Sequence, residues 1–289
     1  VALALEIKGL RKEYKNFRLN DISLHLPSGY IMGLIGPNGA GKTTLIKLIL
    51  NLVQRESGEI KIFGTDNLIH ETDIKSRIGF VHEEPHYYSY LRVKEMRALL
   101  SRFYIHWNDD RFYNLCGEFN LPLNKRISTL SRGTKMKLSL ALALSHDADF
   151  LLMDEPTTGL DPVFRRDLLK KFSEIIQNEN KAVLFSTHIT SDLERIADYI
   201  TYIQNGEILF SCTKDHLFET WALVKGGNEI LNHESKKLFE GIRKGPYGFK
   251  ALTSDKEAVQ KALSGKNIIL EKPSLDDIMI LLSRGEINA

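Results

Sequence analysis

Residues Gly36-Pro37-Asn38-Gly39-Ala40-Gly41-Lys42-Thr43-Thr44 follow the pattern G-x-x-x-x-G-K-[ST]. The apolar run Tyr30-Ile31-Met32-Gly33-Leu34-Ile35 leads into them, and Leu45-Ile46-Lys47-Leu48-Ile49-Leu50 follows with helical spacing. A strand, a glycine-rich loop and a helix start in that order make a phosphate cradle. Glycines let successive backbone N–H groups turn inward, and the helix N-terminus adds its positive dipole. Lys42 would reach the β- and γ-phosphates, and the Thr43 hydroxyl suits Mg²⁺. This commits the chain to an α/β architecture around a nucleoside triphosphate.

The chain has 289 residues, enough for one large domain or a medium domain with an appendage. A formal net charge of +2 argues neither for nor against an acidic polymer as partner; nucleic acid is not expected. No apolar run reaches the length of a membrane span, and Val1-Ala2-Leu3-Ala4-Leu5 is too short for a signal-peptide core. Cys116 and Cys212, far apart in sequence, suggest reduced thiols and a cytoplasmic setting. The histidines show no metal-ligand spacing.

Alternating patterns predict strands over Leu3–Leu10, Phe17–Leu26 and Tyr30–Ile35, with the helix after the loop running to about Val53. Strand signals recur over residues 58–64, 78–81, 150–153 and 182–185, with a helix over Pro162–Gln177. Apolar strands alternating with helices imply a parallel sheet covered on both faces. Candidate helices Val93–Ile105, Asp109–Phe119 and Arg132–Ser145 fill an insertion over about 84–147. Tyr199–Ile203 and Glu207–Phe210, joined through Asn205-Gly206, read as a hairpin. The expected division is residues 1–212 and a smaller α+β appendage over 213–289, with strands at Trp221–Lys225, Gly248–Leu252 and Asn267–Leu270 and helices at Lys256–Leu263 and Leu275–Leu282.

Five further patches fall in order around the phosphate loop: Phe80-Val81-His82-Glu83-Glu84-Pro85, Leu130-Ser131-Arg132-Gly133-Thr134, Phe150-Leu151-Leu152-Met153-Asp154-Glu155-Pro156, Thr158-Gly159-Leu160-Asp161-Pro162 and Ser186-Thr187-His188. Together they resemble the ATP-binding subunit of an ABC transporter, most closely the bacterial exporter-like branch that pairs with a separate permease for drug or peptide export. Lys272-Pro273-Ser274-Leu275-Asp276-Asp277-Ile278-Met279 resembles the appendage of that branch.

The resemblance implies a P-loop NTPase of ABC type: a mainly parallel sheet with N-terminal antiparallel strands, a helical subdomain and the appendage. It implies ATP and Mg²⁺, with Asp154 and Thr43 on the metal, Glu155 polarising the attacking water, and His188 on the γ-phosphate. Tyr14 would stack on adenine, although a strand aromatic also suits a core. Ser131 and Gly133 would clamp the nucleotide of a second protomer in a head-to-tail homodimer or heterodimer, while Ser131 also suits an N-cap. Asp161 would lie at that seam or simply cap a helix.

Two positions depart from the family pattern. Arg132 stands where glycine is common, and could face solvent or approach phosphate. Glu83 stands where a glutamine usually contacts metal and water, with Glu84 the alternative if the register slips by one. The insertion would grip a transmembrane permease, holding the subunit on the inner face of the cell membrane. Its aromatics Tyr87, Tyr88, Tyr90, Phe103, Tyr104 and Trp107 suit either a docking groove or a core. The rival readings are a non-transport ABC ATPase and a regulatory sensor acting through the appendage.

Overall fold

The computed structural model describes residues 2–284, with the side chain of Arg284 outside the described set; the last five residues of the expected 213–289 appendage also lie outside the described residues. The chain opens with β1 (Leu3–Tyr14), β2 (Phe17–Pro27), β3 (Ile31–Ile35), α1 (Lys42–Ile49), β4 (Ser57–Ile62) and β5 (Thr65–Asp66). After α2 (Glu71–Ser76) and β6 (Ile78–Val81), the insertion supplies α3 (Val93–Leu100), α4 (Asp109–Glu118) and α5 (Arg132–Leu144). Then follow β7 (Phe150–Asp154), α6 (Pro162–Ile175), β8 (Ala182–Ser186), α7 (Thr190–Ile196), β9 (Tyr199–Gln204) and β10 (Glu207–Thr213). The appendage comprises α8 (Lys214–Thr220), β11 (Ala222–Gly226), α9 (His233–Lys236), β12 (Gly241–Gly245), β13 (Gly248–Thr253), α10 (Lys256–Ala262), β14 (Ile268–Glu271) and α11 (Leu275–Arg284).

The central sheet runs β10-β9-β3-β8-β7-β6, all neighbours parallel except the β9–β10 hairpin. Its inner strands β3, β7 and β8 are buried along their whole length and largely apolar because both faces are covered. Met32, Leu34, Phe150, Leu152 and Leu184 point into a core shared with α1 and with the antiparallel sheet β2-β1-β4-β5. Ile31, Ile35, Leu151, Met153, Val183 and Phe185 point the other way, into a core shared with α5 and α6. Alternation of side chains along each strand thus divides one apolar run between two cores.

Periodicity extends α1 to Val53, but the helix ends at Ile49. Asn51 adopts a left-handed φ of 51°, and the amides of Asn51 and Leu52 turn back to the carbonyls of Leu48 and Lys47. This closure satisfies the last helical carbonyls before the apolar pattern stops. Similarly, α3 ends at Leu100 and tightens into a single 3₁₀ turn over Ser101–Phe103 instead of reaching Ile105.

Appendage strands pair in the order β12-β13-β11-β14, all antiparallel, giving a split βαβ arrangement. One face packs Val224, Ile242 and Ala251 against Val259 of α10 and Leu263 at its C-cap. On the other, Leu223 and Leu252 meet Leu275, Ile278 and Leu281 of α11 within the same apolar cluster as the α5–α6 core. Ser274 caps α11 by exchanging hydrogen bonds with Asp277. That helix start is tied to α7, where Thr190 Oγ1 donates to Asp276 at 2.7 Å and the Leu275 amide donates to Glu194 at 2.7 Å. The segment Lys272–Met279 therefore holds the appendage against the body.

His146, just beyond α5, is buried, and neither ring nitrogen has a hydrogen-bond partner. Its ring stacks on Tyr104 at 3.8 Å. Burial pushes its pKa down from 6.5 to about 4. Between those values the unfolded chain binds the extra proton, so stability is full above pH 6.5 and falls on acidification. Relative to the parent chain, His146→Phe should remove about 2 kcal/mol of the stability lost between pH 7.5 and pH 5. Denaturant midpoints at the two pH values check this; an unchanged acid loss would contradict it.

Candidate functional site

Three adjacent strands of the central sheet end on one side of the molecule, and their carboxyl ends carry the chemistry. β3 runs into the glycine loop, β7 ends at Asp154-Glu155, and β8 ends at Ser186-Thr187-His188. Parallel strands with helices on both faces open such a crevice at their C-terminal edge. Gly36 permits the loop to leave β3, since a Cβ there would lie 2.1 Å from the Ile203 carbonyl oxygen. Gly41 starts α1 with a φ of 114°, and no side chain caps that helix. The first-turn amides of α1 thus face the loop interior without a protein cap, as an anion cradle requires.

The cleft has a volume of about 640 Å³ and is lined by Asn38 through Thr44, Glu83, Asp154 and Glu155, with Asn16 and Phe17 on one wall. Lys42 is buried, and its Nζ donates to the Gly36 carbonyl at 2.8 Å and to the Pro37 carbonyl at 3.3 Å. Desolvation holds its pKa below the ordinary lysine value, while the charges of Glu155, Asp154 and Glu83 oppose that shift.

Asp154 is fully buried and held from both sides. Thr43 Oγ1 donates to its Oδ2 at 2.7 Å, and Ser186 Oγ donates to its Oδ1 at 2.5 Å. A hydroxyl and a carboxylate converging at the cradle edge are hard oxygen donors of the kind Mg²⁺ prefers, so these residues fit the metal. Glu155, at a left-handed φ of 51°, is almost fully buried. Its amide donates to Ser186 Oγ at 3.1 Å. His188 Nδ1 lies 2.8 Å from Glu155 Oε2, which also accepts from Thr158 Oγ1 at 3.1 Å and from the His188 amide at 3.4 Å. Glu155 and His188 therefore form one unit.

Other expected site residues lie elsewhere. Tyr14 does not line the cleft: it sits across the hairpin from Phe17, exposed, with Lys12 Nζ 5.3 Å from its ring centroid. Phe17 is the aromatic that reaches the cleft wall. Glu83 lines the cleft and Glu84 is not among the lining residues; Arg132 Nη2 donates to Glu83 Oε1 at 3.2 Å. Ser131 caps α5 by accepting from the Thr134 amide at 3.2 Å, and Gly133 approaches the Gly159 carbonyl. Asp161 caps α6 by accepting from the Phe164 amide at 2.9 Å. That bond, with Lys137 nearby, lowers its pKa. Ser131, Gly133 and Asp161 all lie outside the cleft lining.

Ser186 is the residue that motif spacing does not single out. It is fully buried and touches both strand-end acids. The signal available was its place directly before Thr187-His188 at the end of an apolar strand.

Comparison with known proteins agrees with this geometry. The ABC transporter family model matches residues 19–158. The ABC transporter ATP-binding protein NatA of Bacillus subtilis (strain 168) is 32% identical over 231 residues, covering 78% of this chain and 92% of that protein. The chain belongs to the ATP-binding subunits of ABC transporters. As a member of this family it is an ATP-hydrolysing enzyme that drives a partner permease. The lantibiotic transport ATP-binding protein SrtF of Streptococcus pyogenes is 33% identical over 208 residues, covering 71% of this chain and 89% of its own. A solved ATP-binding subunit of an ABC transporter superposes with a TM-score of 0.69 at 28% identity, covering 75% of this chain and 92% of the other. Among the described residues of this ABC subunit, no helix is long and apolar enough to cross a membrane.

Ser186→Ala removes a donor from Asp154 and an acceptor from the Glu155 amide, both in buried surroundings. It should cost about 1–3 kcal/mol of stability. ATP turnover should also fall about tenfold, because each acid loses one of the hydrogen bonds that position it. Denaturant unfolding and a steady-state ATPase assay check this; wild-type values for both would contradict the role.

Proposed function

We propose that two copies of this chain, or this chain and a close relative, close head-to-tail around two ATP molecules and drive a permease that exports a drug, peptide or similar small molecule. One observation carries the dimer. The loop, Asp154 and Glu155 line one cleft and His188 is bonded to Glu155, whereas Ser131 and Gly133, at the start of α5, are not among the lining residues. A second chain is needed to bring such a helix start onto the cleft. The direction of transport draws on relatives such as SrtF, whose name assigns it to lantibiotic transport.

In this reading the loop amides and Lys42 bind the phosphates, and Phe17 or Tyr14 meets the adenine. Thr43 and Asp154 would hold Mg²⁺, with Glu83 nearby; when bound, the ion neutralises developing phosphate charge. Glu155 accepts a proton from the attacking water, and His188 orients that carboxylate through Oε2. Ser131 and Gly133 meet the γ-phosphate of the partner's nucleotide, and Asp161 lies at the seam. Loss of the γ-phosphate removes that bridge and lets the dimer open.

Residues 1–212 act as the ATPase, with the helical part over about 84–147, and residues 213–289 as an accessory domain. The permease meets the insertion beside a cavity of about 290 Å³ lined by Phe80, His82, His86, Tyr87 and Tyr104. Tyr87 is held inward by donating to Ser139 Oγ at 3.0 Å, while Tyr88, Tyr90 and Phe103 are exposed around the insertion. This contact would keep the subunit on the inner face of the cell membrane.

Glu155→Gln should lower turnover at least about a hundredfold while retaining ATP, and should elute as a nucleotide-locked dimer. Adding Lys42→Ala should abolish that dimer. Size-exclusion chromatography with ATP decides, and a Glu155→Gln chain that stays monomeric would contradict the scheme. Co-purification with an adjacent permease and cargo-stimulated turnover test the export reading.

A further inference from the structure

The two departures from the family pattern meet in space. Arg132 and Glu83, 49 residues apart, form an ion pair at 3.2 Å. Each is electrostatically odd where it stands. Arg132 occupies the first turn of α5, a 13-residue helix whose first turn contains no acidic residue. A cation at the positive end of a helix is unfavourable unless an anion answers it. Glu83 is a carboxylate lining a cleft built for phosphates, which would repel them. Its charge is also felt by Lys42. Glu83 thus lines the phosphate cleft of its own chain while bonded to the cation of the helix start that, in the sandwich, faces the partner's nucleotide.

We infer that Glu83 is a resident counter-ion to Arg132, standing in for phosphate at the helix start until nucleotide displaces it. With no nucleotide, its carboxylate neutralises Arg132 and partly compensates Lys42. Both members of the Arg132–Glu83 pair are about half exposed, with side-chain accessibilities of 54% and 41%. Such a pair is weak, so a polyphosphate competes with it readily. When ATP enters the cleft, its phosphates take over Lys42 and repel Glu83. Arg132 is then released from its partner and meets the γ-phosphate of the nucleotide on the opposite protomer. One chain thereby connects the two nucleotide sites: loading its own cleft frees the cation that grips the other. Arg132 is a specificity and coupling residue here, in place of the small residue common in the family.

This inference rests on the sandwich reading, so the test is run in a background that examines that reading first. In the Glu155→Gln chain, dimer formation is followed by sedimentation velocity as ATP is titrated. Glu83→Gln should free Arg132 and lower the ATP concentration for half-maximal dimer by about threefold to tenfold. Arg132→Gln removes the contact and leaves Glu83 unanswered beside the phosphates, and should raise that concentration by a similar factor. Adding Glu83→Gln to Arg132→Gln should recover part of the loss, because the repulsion goes too. A purely structural surface pair would move both single variants the same way or leave both unchanged, and either result overturns the counter-ion role. A Glu155→Gln background that never dimerises overturns the sandwich and this inference with it.

Discussion

The two strand-end acids share one anchor, the hydroxyl of Ser186. From the end of β8 it donates to Asp154 and accepts from the amide of Glu155, so one buried group fixes both strand-end acids of β7. Thr43 completes the frame by tying Asp154 to the first turn of α1. These bonds are strong because their surroundings are dry, and a missing partner would leave a buried charge unanswered. The central sheet supplies the dryness. Its strands are covered on both faces, and only their carboxyl ends open to the cleft.

In the proposed sandwich, that arrangement would make binding and hydrolysis separable. Lys42, Thr43 and the loop amides form a complete phosphate cradle within one molecule. Glu155 and His188, in contrast, are bonded to each other at the cleft edge. The helix start carrying Ser131 and Gly133 caps itself, and neither residue lines the cleft of its own chain. One protomer thus has the elements to hold ATP, and the account assigns the completed hydrolytic geometry to two.

Much of this was legible in the sequence because it is local. The glycine loop between an apolar strand and a helix, and the acids ending Phe150–Asp154, announce themselves by composition and order. What escaped was short or nonlocal. β12 has a single large apolar residue, Ile242, between glycines and two cations, so it shows no alternation, and its pairing with β13 alone makes it a strand. α2, α7 and α8 have six or seven residues each, too few for a helical period to stand out. The early end of α1 turned on the left-handed conformation of Asn51, not on any change in apolar spacing. At the β1–β2 turn, Phe17 lines the cleft and its cross-strand partner Tyr14 is exposed, a difference that strand alternation alone does not reveal. Likewise Arg132 and Glu83 looked like unrelated departures until the insertion brought them together.

The central claim is that hydrolysis belongs to the closed pair and not to the single chain. Specific ATPase activity measured across a dilution series of the isolated subunit at saturating ATP tests it most directly. The account expects the rate per molecule to fall as the protein is diluted below its dimerisation constant. A rate per molecule that stays constant down to concentrations at which sedimentation shows only monomer would contradict it.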